Sequence, residues 1–230
     1  MLLKERYRHI LNYFSRTMPV AETELRYESP YQLLVAVMLS AQCTDKRVNA
    51  TTPAFFKRFP DVQSLAAATV EEIFSFIRSI SYPNSKARHL SGMAKMLIRD
   101  FGGEVPSEPE QLKRLPGVGQ KTANVIASVV FNKAALAVDT HVFRVAARLG
   151  LTRNAKTPLA AEKQLVKHIP ENKISIAHHW LILHGRYVCT ARKPRCASCE
   201  LSTWCLYFSK FFNLEKPIHS KTNKSTWKHS

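Results

Sequence analysis

Glycine is scarce in this chain, with 7 among 230 residues. Loop-rich β proteins use more of it, so the composition tilts toward helices. Acidic residues are in deficit too: 17 Asp plus Glu face 34 Lys plus Arg, a formal net charge of +17. Such an imbalance speaks about partners rather than fold and favours a polyanion, with an anionic membrane surface as the rival. Long apolar runs are missing. The longest, residues 33–39, falls far short of the roughly 20 residues that a bilayer helix needs. No apolar stretch follows Lys4, Glu5 and Arg6, so no secretory leader is expected. Cysteine is rare and unevenly placed: of the 5, all but Cys43 lie between Cys189 and Cys205. Without an export signal, that crowding reads as a metal site in a reducing cytoplasm rather than a disulfide framework. At 45% hydrophobic and 22% charged, the chain can bury a real core, which excludes a disordered tail or a fibrous repeat.

Helical spacing dominates what is present. Leu3, Tyr7, Ile10, Leu11 and Phe14 share one face of a first helix. Residues 31–40 are apolar nearly all round, as in a helix buried at a centre. Val48, Thr52, Phe55, Phe56 and Phe59 continue the pattern, and Thr69 with Glu72 predicts a capping box for a helix ending near Ile80. Pro83 interrupts; Leu90, Ala94, Leu97 and Ile98 then mark a helix that stops at Gly102-Gly103. Val142, Val145, Ala146 and Leu149 form a stripe closed by Gly150. Thr157-Pro158 reads as a cap and first turn, and a last long helix runs through Ile176, Trp180 and Leu183 toward Cys189. Alternating apolar runs are few and no internal repeat is found, so the predicted class is all-α. Residues 211–230 lose the pattern and hold four Lys and one Glu, a basic flexible tail.

Three constellations carry chemistry. The first is Leu115-Pro116-Gly117-Val118-Gly119-Gln120-Lys121-Thr122-Ala123. A helix is expected to end before Pro116 and another to start near Gly119. Both glycines are free to take angles closed to other residues, and bare amides at a helix start make a phosphate seat. Ala123, Ile126, Ala127 and Val130 form the buried face, leaving Lys121, Asn124 and Ser128 opposite. A cation in a first turn opposes the helix dipole. That favours the neutral amine, the nucleophilic form, whereas an ordinary phosphate contact or a solvated lysine needs no such placement.

The second is Val138-Asp139-Thr140-His141-Val142-Phe143-Arg144. Asp139 suits an N-cap, and a carboxylate near an amine can also accept its proton or steady positive charge on a sugar. Spacing alone does not bring Asp139 to Lys121. The third is Cys189, Cys196, Cys199 and Cys205, spaced C-x6-C-x2-C-x5-C. Structural zinc usually takes two C-x2-C pairs, and one is present here; an iron–sulfur cluster accommodates the uneven spacing. Arg192, Lys193 and Arg195 make the loop between the first two ligands basic. Cys43 reads as a small buried thiol, and the His178-His179 pair as helix surface and core.

Together these motifs resemble the endonuclease III branch of the helix-hairpin-helix DNA glycosylases, over roughly residues 1–210. The resemblance implies two helical lobes, 23–133 with the hairpin at about 108–131, and 1–22 plus 134–210. It implies duplex DNA with a damaged pyrimidine or an abasic site across the groove between them. A [4Fe-4S] cluster would sit on the four cysteines in loop 189–205, with the protein a monomer near the nucleoid and off the membrane. By matching positions, Lys121 is the nucleophile of a glycosylase and abasic-site lyase, and Asp139 assists it. Gln42 fills the gap left by the extruded nucleotide. Tyr82 stands where the family commonly has a leucine wedge after a glycine. Gly117, Val118, Gly119 and Thr122 of the hairpin, His141, Arg144 and the three basic loop residues complete the expected DNA contacts. Two alternatives remain at this level. An adenine-mispair glycosylase of the same fold would want a glutamate near Met38 and an extra C-terminal domain. A non-catalytic DNA-binding or redox-sensing module would have no need of both Lys121 and Asp139.

Overall fold

The computed structural model describes residues 1–211; the expected basic tail, from residue 212 onward, lies outside the described residues. Among these, every regular element is helical. In order they are α1 (Leu3–Thr17), α2 (Pro30–Ser40), α3 (Asp45–Arg58), α4 (Val62–Ala67), α5 (Val70–Ile77) and α6 (Pro83–Phe101). There follow α7 (Pro109–Leu112), α8 (Gln120–Phe131), α9 (Thr140–Leu149), α10 (Pro158–His168), α11 (Ile174–Tyr187) and α12 (Leu206–Phe211). No helix among them is long and apolar enough to cross a membrane.

Local chemistry sets the boundaries. Ser29, Thr44, Asp61 and Thr157 each accept a backbone N–H of the first turn that follows, satisfying donors that the helix leaves orphaned. Thr69 does the same for the Glu72 amide. The Glu72 carboxylate, however, pairs with Arg58 instead of returning to the cap, so half of the predicted capping box forms. The helix ends at Ile77, and the Ile80 N–H closes a separate turn on the Ile77 carbonyl at 2.9 Å. Pro83, predicted to interrupt, opens α6 at its first turn, where a missing N–H costs nothing. Ile98 falls outside the buried stripe of that helix, and Met93 and Ala87 sit inside it.

Buried side chains gather in two clusters, one per lobe. The first surrounds α2, whose Leu33, Leu34, Val35, Ala36 and Leu39 are fully buried among Phe55, Phe59, Ile73, Leu90 and Ile126. The second joins the N-terminal helix to the later half of the chain: Tyr7, Ile10 and Phe14 pack with Val142, Leu149, Leu165 and Trp180. The Phe14 and Trp180 rings stack at 5.8 Å, and the indole N–H donates to the Met18 carbonyl at 2.7 Å.

Helix α8 lies between the lobes. The pattern put Asn124 and Ser128 with Lys121 on the face opposite the buried one, but both are buried too, at 2% and 1% exposure. One side of α8 packs on α2 and the other is covered by the second lobe. Asn124 Nδ2 donates to the Leu136 carbonyl at 3.2 Å and to Glu162 Oε1 at 2.9 Å, and its Oδ1 accepts from Gln120 at 3.0 Å. Farther along the interface, Arg186 of α11 pairs with Asp45 at 2.8 Å and with Glu24. The second core depends on a contact between the two ends of the chain. Phe14→Ala is therefore expected to cost about 3–5 kcal/mol in urea unfolding, from lost transfer energy plus the cavity left against Trp180.

Candidate active site and metal centre

A cleft of about 800 Å³ opens where the two lobes meet, and Lys121 and Asp139 both line it. Lys121 projects from the first turn of α8, whose N-terminal amides no side chain caps. The hairpin turn before it needs glycine once. Gly117 has φ +80°, and a Cβ there would lie 2.8 Å from the His89 side chain. Gly119, also expected to use unusual angles, is extended at φ −93°. A Cβ on it would meet nothing within 4 Å, so its bareness keeps the approach to the amides open. Val118 is buried and its N–H closes the turn on Leu115 at 3.1 Å, which anchors the hairpin in the first core. Thr122 is half-buried behind Lys121.

Asp139 caps α9: its Oδ1 accepts from the His141 and Val142 amides at 2.8 and 2.9 Å. That leaves Oδ2 facing Lys121 Nζ at 3.8 Å, with the lysine side chain 55% exposed and the carboxylate 13%. An ion pair this exposed adds little to stability; its placement in a cleft matters more.

His178 and His179 both line this cleft and both are buried, so neither is helix surface. Helix α11 is covered on more sides than its pattern suggested, by α9, α1 and the segment before Asp139. Burial, then the neighbouring His179, push His178 down to about 3. Burial, then Arg186, push His179 down to about 4. Neutral His178 donates from Nδ1 to the Ala137 carbonyl at 2.8 Å.

Gln42 borders the cleft on one side and, on the other, a recess of about 290 Å³ that it shares with Tyr82, Lys86, His89 and Gly117. Gln42 and Tyr82 have φ of 55° and 57°, left-handed angles unusual for such side chains. Both are exposed.

Arg144 does not point its charge outward. Its guanidinium donates to the carbonyls of Cys189 at 3.1 Å and Gly185 at 2.9 Å and meets His141 Nδ1 at 3.2 Å. One turn on, Arg148 donates to the carbonyls of Thr190 and Ala191 at 2.7 and 2.9 Å and approaches Cys189 Sγ at 3.5 Å. Sequence reasoning passed over Arg148; the signal was an i, i+4 arginine pair ahead of the cysteine set. Arg192, Lys193 and Arg195 stand exposed on the loop these arginines tether.

The four late cysteines surround a small apolar pocket with Leu149, Val188 and Phe208. Burial raises the thiols of Cys196, Cys199 and Cys205, and their mutual repulsion adds to it. Four thiolates so placed need positive metal charge among them, which suits a metal centre. Among the described residues no three Cys, His, Asp or Glu side chains converge as they do around a single ion. The Phe208 amide donates to Cys205 Sγ at 3.5 Å, the kind of N–H···S contact that steadies cluster sulfurs. Cys43 is half-buried against the first core.

Residues 35–171 match the HhH-GPD superfamily of base excision DNA repair proteins, and residues 189–205 match the iron–sulfur binding domain of endonuclease III. Endonuclease III of Rickettsia felis is 44% identical over 212 residues, 92% of this chain and 96% of its own. That of Bacillus subtilis is 46% identical over 187 residues, 81% and 85% of the two chains.

The chain belongs to the endonuclease III family.

A solved structure of a trapped endonuclease III–DNA covalent intermediate with an estranged adenine superposes with a TM-score of 0.86 at 44% identity. It covers 91% of this chain and 99% of that one. As a member of the endonuclease III family, the chain is a base excision repair enzyme, a DNA glycosylase and abasic-site lyase, and its cofactor is a [4Fe-4S] cluster. A larger groove of about 1340 Å³ runs beside residues 19–28 and holds neither Lys121 nor Asp139.

Two outcomes follow from this geometry. Cys199→Ala is expected to yield protein without the brown absorbance and without matched iron and sulfide, read by spectroscopy and elemental analysis. His178 and His179 titrate below the ordinary 6.5, so the unfolded chain binds more protons once the pH drops under that value. Stability is then full above about pH 6.5 and falls toward about pH 4, by about 1 kcal/mol per histidine per pH unit. Urea unfolding at neutral and mildly acid pH checks this, and His179→Gln is expected to flatten the slope.

Proposed function

We propose that Lys121 performs both steps of this repair reaction on oxidised pyrimidines in duplex DNA. A base inside the stack cannot be reached, so the damaged nucleotide rotates out into the interlobe cleft. The Lys121 amine attacks C1′ of the deoxyribose. The C1′–base bond breaks with its electron pair on the departing base, which takes a proton from solvent water. Asp139 takes the proton released from the attacking nitrogen and steadies positive charge on the sugar. Asp139 hands that proton on to O4′ as the C1′–O4′ bond breaks, and the ring opens to a Schiff base in which C1′ is doubly bonded to the lysine nitrogen. Loss of a proton from C2′ then pushes out the 3′ phosphate and cuts the strand, and water releases the enzyme by hydrolysing the Schiff base.

The observation that carries this reading is the 3.8 Å approach of Lys121 Nζ to Asp139 Oδ2 in a cleft between two lobes. The neighbouring groups fit the same substrate. The open amides at Gly119 and along the first turn of α8 suit a DNA phosphate. Gln42 fills the vacated space in the duplex, and Tyr82 enters from the other side of the recess. Arg192, Lys193 and Arg195 lie along the sugar–phosphate backbone, where attraction comes from counterion release. His141 borders the sugar pocket, while Arg144 acts from behind by tying α9 to the cluster loop. Cys189, Cys196, Cys199 and Cys205 hold the cluster, whose contribution is to fix that loop. The enzyme acts as a monomer in the cytoplasm, beside the chromosome. A relative of the same fold has been captured as a covalent DNA intermediate.

Borohydride added with a duplex carrying an abasic or thymine-glycol site is expected to trap a covalent adduct on the wild-type chain. Lys121→Ala is expected to form none while still binding the duplex. Asp139→Asn is expected to slow trapping by about 100-fold or more. Adduct on the alanine variant at the wild-type rate removes Lys121 from the reaction.

A further inference from the structure

The turn that carries Gln42 is a backbone problem solved from outside. Helix α2 ends at Ser40, and its last carbonyls need partners. The usual answer is a glycine just past the end, but residues 41–44 read Ala-Gln-Cys-Thr. Gln42 nonetheless adopts the left-handed angle. The Val37 and Ser40 carbonyls find local partners in the Ser40 hydroxyl at 2.9 Å and the Cys43 N–H at 3.0 Å, and a side chain from another helix takes two more carbonyls of this turn. Lys86, 8% exposed on the second turn of α6, donates from Nζ to the Leu39 carbonyl at 2.8 Å and to the Ala41 carbonyl at 2.6 Å. Burial presses its pKa downward, so the ammonium persists there because both bonds are charge-assisted and short.

The same residue is tied to the other exposed side chain of the recess. The Lys86 N–H makes the first helical hydrogen bond of α6, to the Tyr82 carbonyl at 3.1 Å. Tyr82 is itself the left-handed residue at the start of that helix. Lys86 thus grips the Gln42 turn with its side chain and the Tyr82 turn with its backbone. Two strained, non-glycine positions facing one recess are held at a set separation by one lysine.

We propose that Lys86 is a positioning residue that makes Gln42 and Tyr82 enter the duplex as one rigid unit. The inference rests on the reading of those two side chains as the groups that fill the vacated stack. It does not involve Lys121 or Asp139. The role predicts a defect confined to duplex substrates, because a single strand has no partner base and no gap to fill.

The test compares borohydride trapping on one abasic oligonucleotide, once in duplex and once single-stranded. For Lys86→Met we expect the duplex rate to fall by about tenfold or more and the single-strand rate to stay within about twofold, as for a misplaced positioning group. Lys86→Gln, which keeps a donor for one carbonyl, is expected to fall between wild type and Lys86→Met; it serves as the probe if the methionine variant melts near assay temperature. Lys86→Met combined with Gln42→Ala is expected to be no slower than the worse single variant, since both changes remove one function. An unchanged duplex rate overturns the proposal. So does an equal loss on both substrates, which makes Lys86 a general structural residue. Unchanged duplex rates in both Gln42→Ala and Tyr82→Ala also overturn it, and locate the failure in the reading of those side chains.

Discussion

The covering of helix α8 on both sides is the constraint from which the site follows. One face belongs to the first core, around α2, and the other is closed by the segment that leads the chain into the second lobe. Asn124 does the joining, with its amide bonded to the Leu136 carbonyl and to Glu162 at once. Residues 132–139 therefore run back along α8 from its end, and the N-termini of α8 and α9 face the same cleft. Lys121 comes from one and Asp139 from the other. Their 3.8 Å approach is a consequence of interlobe packing, since an exposed pair has too little energy of its own to hold two lobes in place.

Most of the polar chemistry around that cleft is committed to holding backbone. Asp139 gives one oxygen to the amides of α9 and keeps the other for the lysine. His178 stays neutral and pins the carbonyl of Ala137, two residues upstream of Asp139. Arg144 and Arg148 hold the carbonyls of the loop that follows Gly185. These arginines run from α9, which Asp139 caps at the cleft, to the cysteine set, so one helix connects the cleft with the metal centre.

Backbone strain gathers at the recess beside the cleft. Gln42 and Tyr82 take left-handed angles without glycine's freedom. Each costs folding energy that the surrounding bonds must offset. The glycine-poor composition noted at the outset has its structural counterpart here: side chains capable of reaching into a duplex occupy turn positions that glycine would fill more cheaply.

Much of this could be read along the chain. Apolar spacing at 3.6 residues gave α1, α2, α9 and α11, because each buries one stripe or its whole surface. Caps at Thr69, Asp139 and Thr157 act over two or three residues, within reach of local pattern. The cysteine spacing and the L-P-G-V-G-Q-K-T-A turn carried their chemistry for the same reason. What the sequence could not supply were contacts between residues far apart in it. Asn124 and Ser128 looked to lie off the buried face because the second lobe that covers them lies beyond the helix's own periodicity. His178 and His179 looked partly exposed because α11 is enclosed by elements from both ends of the chain. Glu72 left its cap for Arg58, and Lys86 reached a turn more than forty residues away. Composition, helices, caps and metal spacing were determined by neighbours in sequence. The distance between Lys121 and Asp139 was decided only by how two separately packed cores meet.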